Sequence, residues 1–199
     1  MTKVRSLYLS FFSCILFFYT STHIHAQQLI YEGFMRGEKV GELIANREVN
    51  DEMTKISLET RIEAHMLVKI VVEMNSESVY RDLALVEASS VAKANGHLKS
   101  SVITIKKDNG YQLDVNGDKS QLQSKSLIGA DIFYFEEPAN LKQIYALASG
   151  EMLEVVKGGE NEYYFVHDGK KELHRYEDGL LQEVEINHAL YSLTFKLKK

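Results

Sequence analysis

Pairs of residues that favour tight turns recur along the chain, and they constrain its fold more than any other feature. Asparagine or aspartate followed by glycine, or two glycines, tolerate the positive φ that two-residue hairpins require. These pairs are Asn95-Gly96, Asn109-Gly110, Asn116-Gly117, Gly158-Gly159, Asp168-Gly169 and Asp178-Gly179. The last three are spaced by ten residues each, which leaves room for strands at residues 163–166, 172–176 and 181–186. The C-terminal third therefore predicts an antiparallel meander.

Apolar and polar residues alternate in two further segments, which is typical of strands with one buried face. The apolar positions are odd-numbered in residues 191–197 and mostly even-numbered in residues 56–74. A strand of nineteen residues would be unusually long, so we expect a bend or turn near residues 64–67. Residues 66–74 also match helical spacing, but their β-branched side chains favour a strand.

Two further segments, near the N-terminus and in the middle of the chain, are less regular. Gly37 and Gly41 bracket a predicted turn between strands at residues 29–36 and 40–49. Residues 127–135 are apolar and aromatic without a clear period, and they fit either a helical turn or a strand.

A short helix is predicted between Pro138 and Gly150. Leu141, Ile144, Tyr145 and Ala148 share one helical face, proline suits a first turn, and glycine suits a C-terminus. The predicted fold class is mainly β: a curved antiparallel meander sheet or a partial, open β-barrel, with one or two short helices around residues 127–149.

The first twenty-six residues have the layout of a secretory signal peptide. Lys3 and Arg5 precede a thirteen-residue apolar run at residues 7–19, and Ala26 ends the segment. That run is shorter than the roughly 18 to 20 residues that cross a bilayer as a helix. We therefore expect cleavage near Ala26, export to the periplasm or beyond, and one β-rich domain at residues 27–199 with no transmembrane segment.

Charge and cysteine content exclude several classes of function from the mature chain. Removing Lys3 and Arg5 changes the formal net charge from −5 to −7, whereas binding of nucleic acid needs clustered basic residues. The single cysteine, Cys14, lies in the leader, so the mature chain has no disulfide, thiol nucleophile or thiolate metal site. The alternative, a lipoprotein acylated at Cys14, is disfavoured because residues 11–13 are a poor lipobox.

No motif in the sequence specifies a reaction. A Gly-x-Ser-x-Gly turn, a phosphate-binding loop and a dinucleotide fingerprint are all missing, and we expect no catalytic residue and no cofactor. The histidines lack the spacing of common metal sites, and we expect no metal. One alternative stays open, since His167, Asp168 and His174 can approach each other across the hairpin at Gly169.

Four aromatic residues indicate a binding site for an apolar ligand. Phe133, Phe135, Tyr145 and Tyr164 can line an apolar cavity between helix and sheet, and they are the candidate ligand-binding residues. The same residues would equally serve as an ordinary core, because the chain has no tryptophan.

Several short motifs also support a resemblance to a known family. They are the leader ending in Ala-Gln, Gly33-Phe34, the segment at residues 36–42 with Gly37 and Gly41, and the apolar segment at residues 126–138. On these grounds the chain resembles a family of exported bacterial proteins, common among Bacteroidetes, that is known only as a domain of unknown function. The resemblance implies a curved antiparallel sheet or open barrel, similar to periplasmic carriers that hold acyl chains against a concave sheet. It brings no catalytic residues.

Together these observations predict an exported, non-enzymatic protein. It binds an apolar ligand such as a lipid, or another envelope protein, in the concavity of its sheet. Two alternatives remain: an enzyme that uses Asp131, His167 and His174, and an interaction module in which an exposed sheet edge pairs with another chain.

Overall fold

Fourteen β-strands and one short 3-10 helix account for the regular structure of the described chain. The computed structural model describes residues 25–50, 52–65, 68–167, 169–188 and 191–199. The strands are β1 His25–Met35, β2 Glu38–Val49, β3 Thr54–His65, β4 Lys69–Arg81, β5 Ala84–Ala94, β6 His97–Lys107, β7 Gly110–Val115, β8 Asp118–Leu122, β9 Gln143–Ala146, β10 Glu151–Lys157, β11 Glu162–His167, β12 Lys170–Glu177, β13 Leu180–His188 and β14 Tyr191–Leu197; the 3-10 helix is Ala130–Tyr134.

All fourteen strands belong to one antiparallel sheet with the order β8-β7-β6-β5-β4-β3-β2-β1-β14-β13-β12-β11-β10-β9. Neighbours within β1–β8 and within β9–β14 follow each other along the chain. The two runs are joined where β1 pairs with β14, through partners such as Gly33 and Phe195. Because β8 and β9 are its outer strands and do not pair, the sheet is open. The predicted fold class, a mainly β open meander, is confirmed.

The sheet curves until its two ends approach each other. The hydroxyl of Ser100 on β6 donates to the carbonyl of Ala148, in the turn between β9 and β10, at 3.2 Å. The chain between β8 and β9, residues 123–142, is here called the inner segment. It bonds to both sides, because the amide of Leu85 donates to Leu127 O and the amide of Tyr145 donates to Ile128 O, each at 2.8 Å.

The local sequence explains most of the hairpins. Asn95, Asn116 and Asp178 have φ values of 51°, 55° and 51°, and each following glycine also has positive φ, as the turn prediction requires. The alternating segment at residues 56–74 is confirmed as β3 and part of β4. Their antiparallel pairing runs to His65 and Lys69, so the chain reverses near the predicted position.

The predicted helix between Pro138 and Gly150 is wrong. Residues Gln143–Ala146 form β9, which pairs with β10 through Ile144 and Leu153. Ile144 and Tyr145 are both fully buried, because the inner segment contacts β9 as well. Both neighbouring residues are apolar because each side of this short strand is covered. In the sequence, this pair and the apolar residues around it resemble one face of a helix. Gly150 has φ +76 in the turn before β10.

Gly37 and Gly41 have different roles, and the prediction that both flank the turn is wrong for Gly41. Gly37 lies in the turn between β1 and β2 with φ +84 and open space around it. Gly41 lies within β2 opposite Gly33 of β1. A Cβ on Gly41 would lie 2.0 Å from the carbonyl oxygen of Arg61 on β3. The close approach of β2 and β3 thus depends on a residue without a side chain.

Two findings bear on the N-terminal predictions. Residues 1–24, with the predicted leader and Cys14, lie outside the described residues, whereas Ala26 lies within β1. Within the described ranges, no helix has the length and apolar character needed to cross a bilayer.

Candidate ligand cavity

A cavity of about 580 Å³ lies between the concave face of the sheet and the 3-10 helix. Its volume is in the range of small-molecule sites in proteins. Most of its wall is apolar and comes from both halves of the sheet. The apolar side chains include Leu43, Leu58, Met74, Leu153, Phe165, Val184, Ile186 and Phe195, and Ala130 and Tyr134 are contributed by the helix.

Short polar side chains lie among the apolar ones in the part of the cavity wall on β3, β4 and β5. Thr60, Ser76 and Ser90 are buried there, and Ser76 is the direct cross-strand partner of Ser90. Side chains of this size leave the space that leucine would fill. The hydroxyl oxygen of Thr60 is buried without a hydrogen-bond partner among the described residues.

Asp131 anchors the 3-10 helix to the wall of the sheet. Its carboxylate accepts hydrogen bonds from the hydroxyls of Ser78 and Tyr80, both on β4. The side chain is almost fully buried and also lines the cavity. Burial raises the pKa of Asp131 above its ordinary value, while the donated hydrogen bonds act in the opposite direction.

Two tyrosines hold the other end of the 3-10 helix. The hydroxyl of Tyr31, with its single proton, lies within hydrogen-bonding distance of two carbonyls, Leu181 O at 3.0 Å and Tyr134 O at 3.2 Å. The hydroxyl of Tyr176 donates to Phe133 O at 2.9 Å. Burial raises the pKa of both phenols, so they remain neutral donors. The helix that closes one side of the cavity is therefore fixed to β1, β4 and β12.

His174, on β12, is a buried polar residue of the cavity wall. Only 5% of its surface is exposed, and its ring stacks on Phe165 with centroids 3.9 Å apart. Neither ring nitrogen has a hydrogen-bond partner among the described residues. The carboxylate of Glu172 lies 3.7 Å from Nε2, which is beyond hydrogen-bonding distance.

Charged side chains cluster at one end of the cavity. His167 lies 3.0 Å from the carboxylate of Glu151, and both side chains are partly exposed. Lys170 and Glu172 line the same end. These residues form the rim of the cavity, where solvent reaches the charges.

The four aromatic residues predicted to bind ligand are not among the described residues that line this cavity. Phe133 packs edge-on against Phe165, and Phe135 lies under the guanidinium of Arg47. Tyr145 is fully buried and shares a 2.7 Å hydrogen bond with Thr104. Tyr164 lies beneath Lys171.

The three residues of the enzyme alternative all line the cavity, but they do not converge. His174 is paired with Tyr163, and His167 lies four positions further along β11. At about 3.3 Å per residue this is roughly 13 Å, too far for one metal ion. Asp168 lies outside the described residues. The carboxylate of Asp131 accepts hydrogen bonds from Ser78 and Tyr80, and these bonds hold the 3-10 helix against β4.

The sequence did not reveal the hydroxyl wall, the part of the cavity wall formed by Thr60, Ser76 and Ser90. Small residues occupy alternating positions of β4 and β5, and of these Ser76 and Ser90 line the cavity.

The fold and the cavity together define a class: β-barrel-like proteins whose open sheet surrounds an interior cavity. The crystal structure of a β-barrel-like protein of the domain of unknown function DUF1849, from Brucella abortus, is similar with a TM-score of 0.57. The match is 11% identical in sequence and covers 90% of this chain and 98% of that chain, and at this identity it shows the fold alone.

The chain belongs to the family described as domain of unknown function DUF6134, whose model matches residues 31–198. The predicted resemblance to a family of unknown function is confirmed at that level. No curated protein matches the chain.

Proposed function

We propose that this protein binds an apolar ligand, a lipid with one aliphatic chain, in the cavity on the concave side of its sheet. The observation that supports this most directly is the cavity of about 580 Å³ with leucine, isoleucine and phenylalanine in its wall. Apolar walls favour ligands whose own surface is removed from water on binding.

The volume limits the size of the ligand. A water molecule occupies about 30 Å³ in the liquid, and a methylene group is of similar size, so the cavity holds on the order of 15 to 20 such groups. That capacity suits one aliphatic chain and a small headgroup. A phospholipid with two long chains would not fit within it.

The proposed location is the periplasm or another exported compartment. The leader-like segment at residues 1–26 and the acidic net charge support this location. The single cysteine lies in that segment, so the rest of the chain has no thiol.

Pairing through a sheet edge has less support. β8 is five residues long, four of them exposed, and it carries Asp118 and Lys119. Short, charged edge strands resist pairing with other chains. At the other edge, β9 is covered by a bridge between Gly129 and Tyr145.

Filling the cavity tests the proposal. Ser90→Phe places a ring in the hydroxyl wall, and we expect at least a tenfold loss of affinity for a fluorescent fatty-acid probe. The matched control is Ser89→Phe on the same strand, because Ser89 is exposed on the outer face of the sheet. Fluorescence titration of delipidated protein gives both affinities.

Two results would contradict lipid binding. One is a wild-type protein that binds no probe and yields no lipid when its organic extract is analysed by mass spectrometry. The other is equal probe affinity in the Ser90→Phe and Ser89→Phe variants, which would place the probe outside the cavity.

A further inference from the structure

Buried polar atoms in the cavity wall narrow the chemistry of the ligand. His174 and Thr60 both line the cavity, and none of their side-chain polar atoms has a hydrogen-bond partner in the described part of the chain. Ser76 and Ser90 add two hydroxyls to the same wall. A buried donor or acceptor left unpaired is costly, so a purely apolar ligand would leave this cost in place.

Resting on the proposed function, we propose that the cavity takes a single-chain amphiphile with a neutral, polyhydroxyl headgroup, as in a monoacylglycerol, and that His174 and Thr60 hydrogen-bond that headgroup. A neutral imidazole offers one donor and one acceptor, and a hydroxyl offers one donor and two acceptor positions. An alcohol group complements both.

The surrounding charges favour a neutral headgroup over an anionic one. Glu172 lies 3.7 Å from Nε2 of His174, and Glu151 stands at the rim beside His167. A carboxylate or phosphate bound at His174 would meet the negative charge of Glu172 at short range. Lys170 is the lysine among the described cavity-lining residues, and it lies exposed at the rim.

The stacking geometry allows His174 to respond to a ligand. Its ring lies nearly parallel to Phe165, with 29° between the planes. A half-turn about the Cβ–Cγ bond exchanges the two edges of the ring and keeps this stack, and that torsion is soft in histidine. Either nitrogen can therefore be presented to a hydroxyl.

Three probes with the same chain distinguish the headgroups: monolauroylglycerol, laurate and methyl laurate. We expect wild-type protein to bind monolauroylglycerol about tenfold more tightly than methyl laurate, and more tightly than laurate, in calorimetric titration. His174→Phe and Thr60→Val, which keep shape and remove polar atoms, are expected to weaken monolauroylglycerol binding about tenfold and to leave methyl laurate unchanged. His65→Phe, on the highly exposed histidine of β3, is the matched control and should change neither affinity.

The outcomes separate this inference from the proposed function. If wild-type protein binds none of the three probes, both are overturned. If it binds methyl laurate as tightly as monolauroylglycerol, or laurate most tightly, lipid binding stands and the headgroup assignment is overturned. The wild-type comparison alone decides this if a variant fails to fold.

Stability gives an independent readout. Removing an unpaired buried imidazole should leave ligand-free His174→Phe with a melting temperature about 2 to 4 °C above that of wild type. A lower melting temperature would mean that His174 is already satisfied in the empty protein, and would overturn the inference.

Discussion

Replacing Asp131 by alanine is expected to destabilise the protein by about 3 kcal/mol. The substitution removes the acceptor for two buried hydroxyls, those of Ser78 and Tyr80, and leaves them unpaired. It also releases the 3-10 helix from β4. For a domain of this size, the loss corresponds to a melting temperature lower by about 6 to 12 °C. Urea unfolding followed by circular dichroism measures it.

Asp131→Asn is the matched control. Its amide oxygen can accept from one of the two hydroxyls, so we expect a loss of about 1 kcal/mol. If the Asp131→Ala and Asp131→Asn variants are destabilised equally, the hydrogen bonds to the carboxylate do not hold the helix to the sheet.

The wild type and the asparagine variant also differ in pH dependence. Burial raises the pKa of Asp131 in the folded protein above its ordinary value of 3.8. Between 3.8 and that raised value, the folded state holds a proton that the unfolded state releases, so this group stabilises the fold as the pH falls and the benefit is lost as the pH rises. The asparagine side chain of the variant has no such proton.

The stability advantage of wild type over Asp131→Asn should therefore grow as the pH is lowered from 7 toward 4. Urea unfolding of both proteins across this range gives the difference directly, because ionisations that they share cancel. An advantage that stays constant or shrinks would contradict the raised pKa.

Gly41→Ala is expected to have the largest effect on folding, about 4 kcal/mol or more. The new Cβ would lie 2.0 Å from Arg61 O and 2.9 Å from the Cα of Ile62, and both are backbone atoms that cannot rotate away. Relief requires β2 and β3 to separate, which breaks the ladder between them.

Gly37→Ala is the control for Gly41→Ala. Gly37 has positive φ but no atom within 4 Å of an added Cβ, so only the backbone conformation is penalised, by about 1 kcal/mol. Denaturant unfolding and soluble yield compare the two variants. Equal stability would show that the contact between β2 and β3 does not depend on Gly41.

Local sequence predicted many of the strands because most of the hairpins are encoded within a few residues. Period-two alternation in β3 and β14, and the Asn-Gly and Asp-Gly turns, specify strands whatever lies beside them. β9 looks like a helix in the sequence because its burial comes from two sides, β10 and the inner segment, and the spacing of its own residues does not encode the contact with the inner segment.

The cavity could not be located from sequence for a related reason. Its wall combines strands from both halves of the sheet, and the space exists because Ser76 and Ser90 are small where others are large. Aromatic clusters such as Phe133 and Phe135 look like a binding site in the sequence, and in the structure both side chains are buried in the hydrophobic core. His174 was identified as a candidate, but its lack of a partner among the described residues is visible only in three dimensions.

The pairing of β1 with β14 has a consequence for how the protein is made. β1 is translated first among the described strands, and one of its edges is completed by the last of them, β14. Until that strand has been synthesised and can pair, β1 presents an unpaired edge, which is a template for aggregation. Contacts of such long sequence separation also form slowly. A chain interrupted before residue 191 would therefore depend on chaperones to avoid self-association, even with every earlier hairpin in place.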